Sequence, residues 1–88
     1  MLAVHYTSAY KRSFKKYIRS GIFRLSTLTE ILTLLVEEKS LPRVYQDHPL
    51  VGKLSGYREC HIAPDILLIY RITDEYIELS DIGSHSSL

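Results

Sequence analysis

Ile66 to Tyr70 leaves this chain the fewest options. Five consecutive apolar residues at strand spacing put greasy side chains on both faces of a strand, because successive side chains alternate. Such a strand is stable only at the centre of a sheet with something packed on each side. The run is far shorter than the roughly 20 residues a membrane helix needs. Ile66–Ile72 is therefore read as the central strand of a layered fold. With 88 residues, a chain buries only about 60–65% of its unfolded surface and has room for one core. One domain, residues 1–88, is expected.

The neighbouring segments supply the partners. Tyr57–Ile62 alternates, with Tyr57, Glu59 and His61 on one side and Arg58, Cys60 and Ile62 on the other. Ala63-Pro64-Asp65 and Thr73-Asp74-Glu75 are turns, and Tyr76–Ile82 is a third strand. At the N-terminus Leu2–Tyr6 is a short strand-like run, after which Thr7 and Ser8 start a helix. Tyr10, Phe14, Tyr17 and Ile18 fall on one helical face, and Gly21 can close the helix in the left-handed conformation. Thr27-Leu28-Thr29-Glu30 has capping-box spacing, so a second helix is expected from there to about Lys39, stopped by Pro42. Most of the seven tyrosines fall at core spacing. The segment Ser40–Gly56 matches neither period and is expected to be a long loop. The fold class predicted is α+β: a helical hairpin packed on a small, mostly antiparallel twisted sheet, in the order β-α-α-β-β-β.

Charge is unevenly placed. Residues 1–43 hold eight Lys/Arg against three Asp/Glu, and residues 44–88 hold three against seven. The first half can present a basic face to phosphates through Lys11, Arg12, Lys15, Lys16 and Arg19, although a solvated helix surface has the same composition. The lone cysteine, Cys60, excludes an internal disulfide and suits a reducing cytoplasm. Its alternation with His61 argues for a small core residue rather than a nucleophile. No secretory leader pattern opens the chain.

Three histidines stand in distinctive settings. His48 lies between Asp47 and Pro49 in the long loop, His61 ends a strand four residues before Asp65, and His85 follows Gly83-Ser84. Antiparallel pairing brings His61, Asp65 and His85 to one edge, with the His48 loop free to close over them. Imidazoles beside a carboxylate suit acid–base chemistry near neutral pH. RNA cleavage needs a base for the ribose 2′-hydroxyl, an acid for the leaving 5′-oxygen and positive charge at the phosphate. The same residues suit a zinc ion, and unrelated surface histidines would show the same spacing. Tyr57 is a candidate for base stacking.

The segments Tyr45-Gln46-Asp47-His48-Pro49-Leu50, Gly56–Ile62, Pro64-Asp65, Leu67–Tyr70 and Gly83-Ser84-His85-Ser86 resemble, in order and spacing, the YafQ-type toxins of the RelE/ParE superfamily of bacterial toxin–antitoxin pairs. The resemblance implies a cytoplasmic, ribosome-dependent endoribonuclease that cuts mRNA in the ribosomal A site with no metal or other cofactor. It places the catalytic set on His48, His61, Asp65 and His85, with Glu59 as an acidic neighbour. His85 takes the role of proton donor to the leaving group, His61 or His48 that of base or phosphate ligand, and Asp65 that of orienting a histidine. It further implies a cognate antitoxin of the DinJ/RelB-like ribbon-helix-helix type, ribosome and mRNA as partners, and operator DNA only through the antitoxin. A binding module of the same fold, weakened or silent in catalysis, is the other reading. The family's usual Arg two residues before the glycine of Gly83-Ser84-His85 is Asp81 here. Exchanging a cation for an anion beside a phosphate is expected to slow cleavage by up to several powers of ten. Lys53 and Arg58 are the other cations available to RNA, although a regular strand turns Arg58 away from His61.

Overall fold

The computed structural model describes residues 1–88, and its sheet is built outward from the expected centre. The strands are β1 (Ala3–Tyr6), β2 (His48–Pro49), β3 (Arg58–Ala63), β4 (Ile66–Ile72) and β5 (Tyr76–Gly83). Their spatial order is β1-β5-β4-β3-β2. β1 runs parallel to β5, and every other neighbour is antiparallel. The helices are α1 (Ser8–Ser20) and α2 (Leu25–Val36). They cover one face of the sheet. Ile66, Leu68 and Tyr70 of β4 meet Tyr10 of α1 and Leu28, Ile31 and Leu35 of α2 in a single apolar cluster. Each such side chain taken out of water contributes roughly 1.5–3 kcal/mol. Leu67 and Ile69 are also buried but belong to the opposite face, where they floor a cleft.

Thr7 caps α1 as expected: its hydroxyl oxygen accepts from the Tyr10 amide at 3.0 Å and its proton goes to the Ser80 carbonyl at 2.7 Å. That second bond ties the strand-to-helix turn to β5. Gly21, with φ 69°, closes α1.

α2 departs from expectation at both ends. It starts at Leu25, capped by Arg24 with no side-chain bond, so the Thr27–Glu30 spacing lies inside the first turn and is not a capping box. The short link after Gly21 buries Phe23 and delivers the chain into helical geometry three residues early. The helix stops at Val36, not near Lys39. Lys39 donates its amide to Leu34 and Glu38 its amide to Leu35, with Glu38 at φ 59°. This is a Schellman closure with glutamate in the position glycine usually takes.

Ser40–Gly56 holds more order than its sequence suggests. Two short 3-10 turns, Arg43–Tyr45 and Gly52–Leu54, flank β2, which pairs His48 with Glu59 and Pro49 with Arg58. Two residues are too few to show a period, and proline is tolerated because β2 is an edge strand. His48 is thus a strand residue, not part of a loop free to close. The tyrosines also differ from expectation: only Tyr10 and Tyr70 are buried, and Tyr6 is half exposed.

Two local irregularities shape the cleft. Ile69 pairs with Asp81 but Tyr70 with Leu79, leaving Ser80 as the extra residue of a β-bulge. Leu79 and Ile82, three apart, therefore both face the core, and Asp81 is turned out of it. The second is Gly83. A Cβ there would meet Ser87 Oγ at 2.7 Å and Leu88 Cγ at 2.8 Å. Glycine lets the last turn, held by Ser87 and Leu88 amides on the Ser84 carbonyl, fold back over β5 with the Ser87 and Leu88 side chains in place; a larger residue would push them aside.

Candidate active site

The cleft on the face away from the helices encloses about 520 Å³, with walls from Leu50, Leu54 and Tyr57 on one side and Leu88 on the other. Glu59, Ser80, Asp81 and His85 supply its polar groups. Glu59 and Asp81 are both register partners of Ile69, so the two carboxylates stand on either side of that floor residue.

Asp65 and His85, twenty positions apart, meet because the β3–β4 turn and the chain after β5 leave the sheet at the same end. His85 Nδ1 lies 2.7 Å from Asp65 Oδ1, and the His85 amide also donates to that oxygen at 3.4 Å. The two bonds hold the Asp65 carboxyl below its ordinary value, the side-chain bond more than the backbone one. A carboxylate on Nδ1 selects the tautomer with its proton there and leaves Nε2 as the free ring nitrogen. The His61 ring packs against His85, with centroids 5.4 Å apart and planes tilted by 59°. His61 itself opens onto a separate depression with Tyr45 and Pro64.

His48 forms a second histidine–carboxylate pair, with Nε2 3.4 Å from Glu59 Oε1. Its place is set from the other face of the sheet. Asp47 accepts from Arg58 Nε at 3.3 Å and Nη2 at 2.9 Å, and also from the Tyr70 hydroxyl. Burial, then the bond to Asp47, raises the Tyr70 hydroxyl well above its usual value, and Asp47 likewise keeps Arg58 charged. Arg58 is therefore engaged beneath the sheet and does not reach the cleft. Asp47 carries no signal in the sequence, because its partners converge only once β2 lies against β3.

Asp81 accepts from Ser13 Oγ of α1 at 2.7 Å and from the Ile82 amide at 2.8 Å. No cation lies within ion-pairing distance of it. Lys53 is exposed in the turn next to Leu54. Lys11, Arg12, Lys15, Lys16 and Arg19 are all exposed on α1, away from the cleft and without acidic partners. Cys60 is fully buried, and burial pushes its thiol up to about 12, so it is a packing residue and not a nucleophile. No three His, Cys, Asp or Glu side chains converge as they would around a metal ion.

Helices on one face of a mixed five-stranded sheet, with two histidine–carboxylate pairs on the other, define a small α+β protein equipped for proton transfer. The family model described as bacterial toxin of type II toxin–antitoxin system, YafQ, matches residues 2–88. The mRNA interferase toxin YafQ of Escherichia coli strain B / BL21-DE3 is 36% identical over 83 residues, 90% of each chain. Among solved structures, the E. coli DinJ–YafQ toxin–antitoxin complex matches with TM-score 0.88 at 34% identity, over 99% of this chain and 96% of that one. A copper-bound mutant toxin from Helicobacter pylori matches with TM-score 0.95 at 38% identity, over 100% and 99%. The chain belongs to the YafQ family of type II toxin–antitoxin toxins.

Proposed function

We propose that the chain is an mRNA interferase: a cytoplasmic, ribosome-dependent endoribonuclease that cuts mRNA in the A site without a metal and is restrained by a cognate antitoxin. The observation that carries this reading is the Asp65–His85 pair at the cleft wall, 2.7 Å apart with Nε2 unspent. In the proposed reaction a base removes the 2′-hydroxyl proton and the 2′-oxygen attacks the phosphorus. The bond to the 5′-oxygen then breaks as that oxygen takes a proton from the acid. His85 is the acid, and Asp65 steadies its imidazolium form and ring orientation. His48 is the base, 3.4 Å from the carboxylate of Glu59, which lines the cleft. His61 packs against His85 as a positioning residue.

Asp81 stands where charge builds in the transition state, which makes this an attenuated nuclease. It also supports the second reading, a binding module of the same fold. Inducing the chain in cells and mapping mRNA 5′ ends by primer extension separates the two. Cuts that disappear in His85→Gln support the nuclease; growth arrest with intact mRNA supports the module. Asp81→Arg is expected to raise cleavage, by restoring a cation where negative charge develops. An unchanged rate would show that Asp81 does not limit it.

The antitoxin reading rests on the helices as well as on the complex formed by the E. coli relative. An apolar groove between α1 and α2, with Tyr10, Phe14, Leu25 and Leu32 inside and Lys11 and Lys15 at its rim, suits an amphipathic segment with acidic flanks. A ribbon-helix-helix antitoxin supplying that segment would bring operator DNA only through itself. Such a partner stabilises the domain by mass action, so the unfolding temperature should climb with its concentration. A chain that unfolds at the same temperature with and without the product of the neighbouring gene would exclude that product as the antitoxin.

A further inference from the structure

The cleft face of the sheet is acidic, with Glu59, Glu78 and Asp81 on its strands. Only two Lys/Arg residues lie in the strands, Arg58 and Arg71, and Arg58 is bound to Asp47 on the other side. Arg71 alternates with the core residue Tyr70 and so lies on the cleft face. Its guanidinium stands over the Tyr57 ring, 5.2 Å from the centroid, and Tyr57 also lines the cleft. The platform is firmly built. Tyr57 gives its amide to Leu54 and its carbonyl accepts from the Leu50 amide. Glu78, itself bonded to Ser80, holds one end of the guanidinium at 3.2 Å.

That contact leaves most of the five guanidinium N–H donors uncommitted, and Nε, shielded from solvent, has no partner at all. The Arg71–Glu78 pair is part-exposed, the kind of pair that contributes little on its own and yields readily to a competing anion. Arg71 is also far from His85. It lies four residue steps along β4 from Leu67, which pairs with Gly83 two positions before His85; at about 3.3 Å per step that is roughly 13 Å. A phosphate at Arg71 is not the one being cut.

We propose that Tyr57 and Arg71 form a nucleotide subsite at the end of the cleft opposite His85, taking a base on the face of the Tyr57 ring turned away from the guanidinium and a backbone phosphate on Arg71. Aromatic faces stack any base, and a planar guanidinium grips a phosphate with two bonds. The ligand is single-stranded RNA, and the strand runs along the cleft from this platform to the Asp65–His85 pair. The inference rests on the nuclease reading above and adds to it the grip on substrate remote from the chemistry.

The test is binding, not cleavage. In a His85→Gln background, a fluorescein-labelled single-stranded RNA oligonucleotide is titrated by anisotropy over a range of salt. Arg71→Gln is expected to weaken binding about tenfold and to lower the salt slope by about one ion. Tyr57→Leu should weaken it by a similar factor with the slope unchanged, and Tyr57→Phe should keep nearly full affinity. Urea unfolding midpoints confirm that each variant is folded; should Arg71→Gln not fold, the Tyr57→Leu and Tyr57→Phe pair decides the matter. RNA bound equally by parent, Arg71→Gln and Tyr57→Leu overturns the subsite and leaves the nuclease reading standing. A parent that binds no RNA even at low salt also overturns the subsite, while the ribosome-dependent nuclease reading stands or falls on the mapped mRNA 5′ ends.

Discussion

Asp65 and Cys60 show how much a residue's surroundings decide its chemistry. The Asp65 carboxyl is exposed, yet the His85 ring and amide hold it below its usual value. Its bond to His85 is complete above the ordinary carboxylate pKa and is lost as pH falls through the depressed one. In carbon-detected NMR, Asp65 should titrate below 3.8, and His85→Gln should return it toward that value; an unmoved midpoint would mean the pair does not form in solution. Cys60 and Tyr10 are shifted the other way. Burial raises the Cys60 thiol from 9.0 to about 12 and the Tyr10 hydroxyl from 10.0 to about 12, the latter with a further push from Tyr6. For both, the fold favours the neutral form. Their contribution is therefore complete below pH 9 and fades as pH climbs from 9 to 12. The urea midpoint should fall steadily over that range. At neutral pH Cys60 should react with a thiol reagent only as fast as the chain unfolds.

Caps and bulges set the stability and aim of the elements. Thr7 both caps α1 and binds the Ser80 carbonyl, so Thr7→Ala should cost about 1–2 kcal/mol. Glu38 closes α2 at φ 59°, where a side chain is strained by roughly 1–2 kcal/mol. Glu38→Gly relieves that strain at some cost in chain entropy, and a net gain of about 1 kcal/mol is expected in denaturant unfolding. The bulge at Ser80 sets which residues of β5 face the core. With Ser80 present, unbroken alternation from Leu79 would turn Asp81 inward and Ile82 outward; the bulge prevents this. Deleting Ser80 removes the extra residue and leaves Leu79 and Ile82 facing the core with Asp81 outside, so the deletion variant should keep a cooperative urea transition; loss of that transition would mean the bulge does more than set the faces.

At the scale of the whole molecule, charge is divided between two faces. The cations of α1 are exposed without partners, and the cleft face carries mostly carboxylates. A ribosome approached helix-first would meet Lys11, Arg12, Lys15, Lys16 and Arg19. Binding to ribosomes should weaken as salt rises, and neutralising several of these residues should flatten that dependence. An unchanged slope would place the contact elsewhere. The acidic cleft makes RNA entry depend on the few cations at its edge, which is why Arg71 and Lys53 carry more weight here than their number suggests.

The sequence by itself determined the layering. An apolar run at strand spacing had to be central, alternation in Tyr57–Ile62 set which residues share a face, and Thr7 and Gly21 marked the ends of α1. These are local effects, encoded within a turn or a pleat. The convergence of Asp65 and His85 was also legible, since antiparallel strands bring alternate ends together. What the sequence could not show depends on pairing across distance. β2 exists only because β3 offers it an edge; two residues have no period of their own. Asp47 acquires its role from Arg58 and Tyr70, and His48 its partner from Glu59, only once that edge is in place. The bulge at Ser80, the glutamate closure of α2 and the fold-back over Gly83 are decided by where the core has room. The Tyr57–Arg71 platform, joining a residue before one strand to a residue near the end of the next, is likewise a product of register.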